Sequence, residues 1–552
     1  MSIEMLAPIS FAARPSPSEE GLKKPMEKSG VLGSIDDTQE GSMMASEMLS
    51  HPMHPDDPLN PMNFPLHRKI FTSLTAWLFA ATVAFGATCF TASKAQFIQD
   101  FNIGNGIPLQ FIAGLSLYLW GIAFAPIWTP HVAERTGRSI IYLVALPVCG
   151  LFILGAGLST TVASVLVCRF SAGLTGGPCL VLIEGTFADM WSARTTNTYY
   201  AFLGTAAYFG ASLGPLSGGY LIKATDNWRW TQYFSVILIA VVWIFGLGQS
   251  ETYQREIPRR HAHKQNKSRK EFCQTQDPAL SGVTIGEMLK ITVLDAFLGP
   301  FTDPVVALST LFLLFNFAVV FQWFISVPAA LGTPPPMGPG YTIDQIGLAI
   351  GITGMVGATC AALMSITIEQ VSLRVFKKKS RTPVSLPIEH RLVPAMIGQF
   401  FITTALFWIG ATVSPKFSPL APIVGTAVYI FGNASIIISV IPYLFDAFPP
   451  AGTLSALTSA ASARILFASA MPMVILYDIT ALTPLWAFGI FGFISVAMWP
   501  IPFLLFRYGP TWRAHSRYTK VITGMDDGME TRGKVPSRDS ETTAYKIGAM
   551  GA

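Results

Sequence analysis

Charge is what this sequence has least of. Only 12% of its 552 residues are Asp, Glu, Lys or Arg, against about 25% in an ordinary soluble domain. Hydrophobic residues make up 51%, and the mean hydropathy is +0.47. A chain this long with so little charge cannot cover a water-facing surface, so lipid is the expected solvent. The formal net charge of +5 does not point to nucleic acid; its distribution matters more. Cysteine is also scarce. Of the six, Cys89, Cys149, Cys168, Cys179 and Cys360 lie in apolar runs and Cys273 in a basic loop. None has zinc-ligand spacing, and the eight histidines are scattered, so no metal site is expected. The sequence lacks G-x-x-x-x-G-K-[ST], which excludes ATP as the energy source, and "GLTGG" is too apolar to cradle phosphate. No catalytic signature competes, so an enzyme is not expected and no cofactor is called for.

A secretory signal is missing as well. Residues 1–66 have no apolar core behind a basic start and are rich in Ser, Pro, Glu, Asp and Met, so a disordered N-terminal tail is expected. The C-terminal stretch 509–552 is expected to be a second tail, disordered from about Tyr518. What is present between them is a series of uncharged runs. Lys69 and Lys94 bracket the first, long enough to cross a ~30 Å hydrocarbon core. Phe101–Pro130 holds the second, and Ser139–Cys168 is split into two by "GAGLSTT". Further spans are expected near 196–220, 229–249, 303–330, 344–368, 393–413, 420–444, 453–477 and 484–506. The total is twelve helices: a half over 67–250, a basic linker over 251–300, and a second half over 301–508.

The basic residues set the orientation. Arg68, Lys69, Arg135, Arg138 and Arg194 fall on one side. So do the linker residues Arg255, Arg259, Arg260, Lys264, Lys267, Arg269 and Lys270. Arg374, Lys377, Lys378, Lys379, Arg381, Arg513 and Arg517 complete that side, leaving Lys94, Lys223, Arg229 and Lys416 for the other. Both termini are therefore expected in the cytoplasm.

Three segments carry motifs. The turn "PHVAERTGRSII" (130–141) gathers Glu134, Arg135, Gly137 and Arg138, either a plain basic loop or a charged clamp between helix ends. Span 4 contains "CRFSAGLTGG", which places Arg169 within the membrane, a functional candidate unless it snorkels to the nearby interface. Span 5 reads "YFGASLGPLSGGYL", in which Gly210, Gly214 and Gly218 repeat every four residues and form one close-packing face. Each interior Gly costs about 1 kcal/mol against Ala, and Pro215 about 3. A stretch that spends so much helix stability needs a reason.

Together these resemble the major facilitator superfamily. Its loop motif matches Glu134, Gly137 and Arg138, with Pro130 standing where the family usually has its first Gly; its span-4 motif matches Arg169, Gly173 and Gly176. Its antiporter motif matches Gly210, Gly214, Pro215, Gly218 and Gly219 in full. "HPDDPLNPMNFP", "FADMWSAR", "PIEHRLVPAMIG", "YLFDAF" and "WPIPFLLFRYG" are similar to the fungal twelve-span drug:proton antiporters, over about 55–515. The resemblance implies an all-α multi-pass membrane fold of two six-helix halves around a central cavity, exposed alternately to each side. It also implies proton-driven export of a drug, polyamine or secondary metabolite, with protons, a small organic substrate and lipid as partners. A monomer is expected, in the plasma membrane or, with the same topology, a vacuolar one.

Residue roles follow with alternatives left open. Arg169 is the first candidate for proton coupling, through an acidic partner or a water and carbonyl network. Glu184 lies fifteen positions on, roughly 22 Å along the helix, where many relatives of the broad family carry a small residue. It is either a cavity carboxylate, for a cation or a proton, or an interface residue paired with Arg194 or a loop Lys. Arg464 in span 11 is expected to gate with Asp446. Asp303 is expected to cap span 7. Tyr118, Trp120, Asn316, Gln322 and Asn433 are cavity candidates, with interhelical bonding the commoner role for Asn433 and an aromatic belt expected for Trp323. The glycine motif is expected to form the seam between the halves and to seal the extracellular side. Uptake by symport and a non-transporting receptor are the competing functions.

Overall fold

The computed structural model describes residues 57–103, 109–191, 196–254, 256–258, 260, 303–333, 339–379, 387–413, 417–418, 420–447, 461–473 and 484–514. Among the described residues there is no strand. The expected tails before 57 and after 514, Arg194, and the linker from 261 to 302 lie outside them.

The helices follow the uncharged runs. They are α1 (Leu66–Asp100), α2 (Leu109–Thr136), α3 (Arg138–Leu158), α4 (Val162–Met190), α5 (Thr196–Thr225) and α6 (Arg229–Gly246). The second set is α7 (Pro304–Gly332), α8 (Ile343–Lys379), α9 (Ile388–Thr412), α10 (Leu420–Ala447), α11 (461–473) and α12 (Leu485–Arg513). Ten of these are long and apolar enough to cross a membrane. α5 is long enough but less apolar, because Gly, Ser, Thr and Tyr interrupt its hydrophobic residues. Caps explain several ends. Thr161 accepts from the Ser164 amide to start α4, and Asp303 accepts from the Val305 and Val306 amides to start α7.

Each set of helices has its own apolar core. One is built on Phe79, Tyr142, Leu146 and Ile153 of the first set, the other on Phe312, Leu313, Ile402 and Tyr429 of the second. A third cluster, the interlocked rings of Phe90, Phe97, Phe111 and Trp228, is contacted by Ile325, Ile343 and Met473 from the other half.

Several boundaries differ from the sequence expectation. The N-terminal tail does not run to 66: Asn60 caps a turn over Pro61–Asn63, and Lys69 reaches back to the Met62 carbonyl. The turn between α2 and α3 is a single residue, Gly137, so Pro130 stands inside α2 and cannot stiffen a loop. Gly137 has φ +80°, and a Cβ there would strike Glu251, which is why glycine is needed. The basic run 374–379 belongs to the last turns of α8, where cations suit the helix C-terminus, and α12 continues past 508. The linker does not begin at 251. Glu251 is buried and accepts from the amides of Arg138 and Ser139, capping α3, while Arg260 pairs with Glu251 and Glu256.

The glycine motif also differs from expectation. Gly210, Gly214 and Gly218 do not face the other half. They lie against Ala81, Thr88 and Cys89 of α1, where any Cβ would collide with backbone or side-chain atoms. The opposite flank of α5 makes the seam: Pro215, Leu216 and Ser212 meet Gly347, Gly351 and Gly354 of α8, and Gly219 meets the Ile343 carbonyl. A stripe of four-spaced glycines admits one neighbour; here a second stripe on α8 supplies the small residues for the contact between halves.

Candidate functional site

A cavity of about 710 Å³ lies between the two sets of helices, lined by α1, α2, α4 and α5 on one side and α7, α10 and α11 on the other. That volume is within the usual range for small-molecule sites, roughly 300–1,000 Å³. It extends from Thr88 and Phe324 to Arg138, Tyr253 and Asp446, the last of which is exposed at the surface. The walls are mainly Leu, Ile, Val, Ala and Phe, with Phe317, Phe321 and Phe324 from α7 and Tyr200 and Tyr208 from α5. At the far end α5 and α8 close together, and Lys223 pairs with Asp344 across the seam at 2.7 Å.

Five charged side chains line this space, and three of them are held. Arg138 pairs with Asp189 at 3.2 Å, Asp446 with Arg391 at 2.5 Å, and Glu134 has a partner of its own. Glu184 and Arg464 are different. Glu184, from α4, carries no hydrogen bond or ion pair among the described residues, although it feels the charge of Arg464 on α11. Arg464 is buried, its guanidinium lies 5.2 Å over the Phe317 ring, and its Nε and Nη1 lack hydrogen-bond partners among the described residues. The expected gate of Arg464 with Asp446 is therefore corrected: Asp446 is taken by Arg391, and Arg464 faces Glu184. Glu184 lines the cavity wall, and the Arg194 of its alternative pairing lies outside the described residues.

Arg169 is fully buried but does not reach the cavity. Its Nε donates to the Gly114 carbonyl at 2.7 Å and its Nη2 to the Ala87 carbonyl at 2.9 Å. Longer bonds run to the Gly86 carbonyl and Gln232, and the guanidinium lies over the Phe90 and Tyr118 rings at 4.4 and 5.0 Å. One cation thus joins α1, α2, α4 and α6 with no carboxylate among its partners in the described residues, and it does not snorkel. Of the two possibilities left open for it, the carbonyl network is the one present.

Five cavity candidates are displaced. Tyr118 is buried against Arg169 and donates to the Val83 carbonyl; its neighbours Leu115, Leu119 and Ile122 line the cavity instead. Trp120 does not line it either. Gln322 turns back to Ser326 beside a small void under Trp323, which stacks on Tyr429 in the core and forms no belt. Asn316 donates its side-chain amide to the Phe312 carbonyl one turn back on its own helix, while Asn433 acts between helices: it donates to the Asn316 backbone carbonyl at 2.9 Å and accepts from Tyr208, a bond that joins α5 to α10. Sequence reasoning missed Asp189, Glu251, Arg391, Tyr200 and Gln232. Asp189 sat in "FADMWSAR" and Arg391 in "PIEHRLVP", both already singled out as segments.

Comparison with known proteins decides what this architecture belongs to. Residues 76–470 match the profile of the Major Facilitator Superfamily. The chain belongs to that superfamily. A major facilitator of Penicillium crustosum, "MFS-type transporter traF", is 28% identical over 84% of this chain and 92% of its own length. "Efflux pump FUBT" of Fusarium oxysporum is 28% identical over 84% of this chain and 76% of that protein. "Polyamine transporter 4" of Saccharomyces cerevisiae is 26% identical over 87% and 74%. Among solved structures, a D-xylose-proton symporter superposes with a TM-score of 0.54 at 15% identity, covering 78% of this chain and 97% of its own, which speaks for the shared fold. This protein is therefore a membrane transporter of the major facilitator kind and not an enzyme.

Proposed function

We propose that this transporter exports small organic molecules by antiport with protons, through alternating access. The observation that carries the reading is the asymmetry of the cavity. One end reaches the surface beside Asp446, while the other is shut by the α5–α8 seam and the Lys223–Asp344 pair. Alternating access needs such a state and its mirror image. With both termini in the cytoplasm, as the basic loops indicate, the cavity faces the cytoplasm, which is where an exporter loads. The apolar wall suits a drug, polyamine derivative or secondary metabolite with an apolar body. Relatives named as efflux pumps and as a polyamine transporter support the direction and substrate range.

Protons moving inward would supply about 2.3 kcal/mol per charge per 100 mV, with no nucleotide and no cofactor. Each copy holds a complete cavity, so a monomer in the plasma membrane suffices. The test is flux in liposomes holding the purified protein under an imposed pH gradient, followed with rhodamine 6G and radiolabelled spermidine. Movement opposite to the proton flow, abolished by a protonophore, is the expected result. Movement with the protons would make the protein a symporter, and binding without flux a receptor.

A further inference from the structure

Among the described residues the cavity holds two opposite charges without ion-pair partners, one on each half. We propose that Glu184 and Arg464 form a two-ended clamp for a zwitterionic amphiphile, a molecule carrying an ammonium group and a carboxylate on an apolar body. This inference rests on reading the cavity as the substrate site and names the class of substrate it takes.

The argument is one of elimination among charges. Arg138 and Asp446 on the cavity wall are each ion-paired within the protein, and Glu134 has a partner of its own. Glu184 and Arg464 make no ion pair among the described residues. An ionised carboxylate in an apolar wall is an acceptor with nothing to accept from. A buried guanidinium whose Nε and Nη1 lack partners is a donor fork of the shape that a carboxylate fills. The two line one cavity of about 710 Å³ from opposite halves and form no ion pair with each other, so the space between them is open to an inserted group. An ammonium ion would face Glu184 and a carboxylate would face Arg464, and each would exchange water for a charge-assisted bond. Phe317, Phe321 and Phe324 supply apolar and ring surface for the body of the molecule. A purely cationic ligand would leave Arg464 unanswered and set a second cation beside it; a purely anionic one would do the same at Glu184. Because Glu184 is on α4 and Arg464 on α11, the bound molecule spans both halves, so rocking changes the distance it must bridge.

The test is equilibrium binding to the full-length protein in lipid nanodiscs without any gradient, using tryptophan, tryptamine and indole-3-propionate, which share one ring body. Tryptophan should bind about tenfold or more tightly than either of the others, the size expected of one charge-assisted bond. Glu184→Gln should reduce tryptophan to the level of indole-3-propionate while leaving indole-3-propionate unweakened. Arg464→Gln should reduce it to the level of tryptamine, and Arg464→Lys should keep part of the preference. A monodisperse elution profile for each variant separates lost recognition from lost folding. Equal binding of the three probes, absence of tryptophan binding, or a preference unchanged in both Gln variants would overturn the clamp. Export of rhodamine 6G alongside such a result would leave the transport reading standing. Selective tryptophan binding with no flux of any probe would sink the transport reading and keep the clamp.

Discussion

Lys223 near the end of α5 and Asp344 near the start of α8 form an ion pair of 2.7 Å that crosses from one half of the protein to the other. It stands at the end of a seam in which Gly347 of α8 lies against the Pro215 carbonyl and Gly354 against Ser212. The Lys223 side chain is 62% exposed, and exposed pairs contribute little because water and salt screen them. The packing beneath it is the stronger element. Lys223→Ala should therefore shift the balance of inward- and outward-facing states by no more than a few-fold. Energy transfer between labels on the two halves would report it. A complete switch to the outward state would show that the ion pair, and not the packing, holds the seam.

The seam itself should respond far more. Gly347→Leu places a branched side chain where the Pro215 backbone stands, and overpacking of this kind costs about 1–3 kcal/mol. The halves can relieve it by separating at that end. The expected outcome is a membrane-resident protein that favours the outward-facing state and has lost export. Normal export in this variant would remove the seam from the mechanism.

Gly214 sits on the other flank, against Thr88 and Cys89 of α1 within the same half. Here there is no second state to relieve the clash. Gly214→Leu should act on folding, with a lower thermal unfolding midpoint in detergent and reduced yield, while Gly347→Leu unfolds near the parent temperature. Equal destabilisation by both would collapse the distinction between the two flanks.

Arg169 binds carbonyls of α1 and α2, and its loss strands the acceptors of Gly114 and Ala87 in a dry interior. Arg169→Gln should cost about 1.5–3 kcal/mol, the range for hydrogen bonds to a charged group. Arg169→Lys should recover little, since a point charge cannot answer a spread of carbonyls as the planar fork does. Thermal unfolding measures both; a Lys variant as stable as the parent would contradict the account.

Tyr208 and Asn433 make the polar bond between α5 and α10 in the middle of the protein. Tyr208→Phe keeps the ring and removes the donor, leaving the Asn433 acceptor buried and unanswered, at about 1–3 kcal/mol. The inward-facing state should lose population to that extent, read by the same energy-transfer labels, with little change in ligand affinity once that state forms.

Much of the fold was legible because lipid makes backbone and charge rules strict. Arg138 and Arg229 open α3 and α6 where the uncharged runs begin, while α1 continues past both Lys69 and Lys94, and Asp303 caps α7 as expected. The motifs located the parts but not their partners. Gly210, Gly214 and Gly218 announced a close contact without saying with which helix, because a helix face has no address in the sequence. Asn316, Gln322 and Asn433 were offered as cavity residues on polarity alone. In an apolar bundle a buried amide is equally able to bond backbone carbonyls: Asn433 reaches that of Asn316 on the neighbouring helix, and Asn316 turns back to that of Phe312 on its own. Asp189 and Arg391 escaped notice because a salt bridge between distant segments leaves no periodicity to read. Glu184 stood out for the opposite reason, as a lone carboxylate inside the apolar run "LVLIEGTF".

The clasp of Glu251 on the start of α3 changes where the tether between the halves is attached. Arg260, Ser139 and the amides of Arg138 and Ser139 all hold the carboxylate, so the segment that follows α6 is fastened to the start of α3. The Arg138 amide that Glu251 accepts from belongs to the residue whose guanidinium pairs with Asp189, so a displacement of this segment reaches the wall of the cavity through α3 and not through the end of α6.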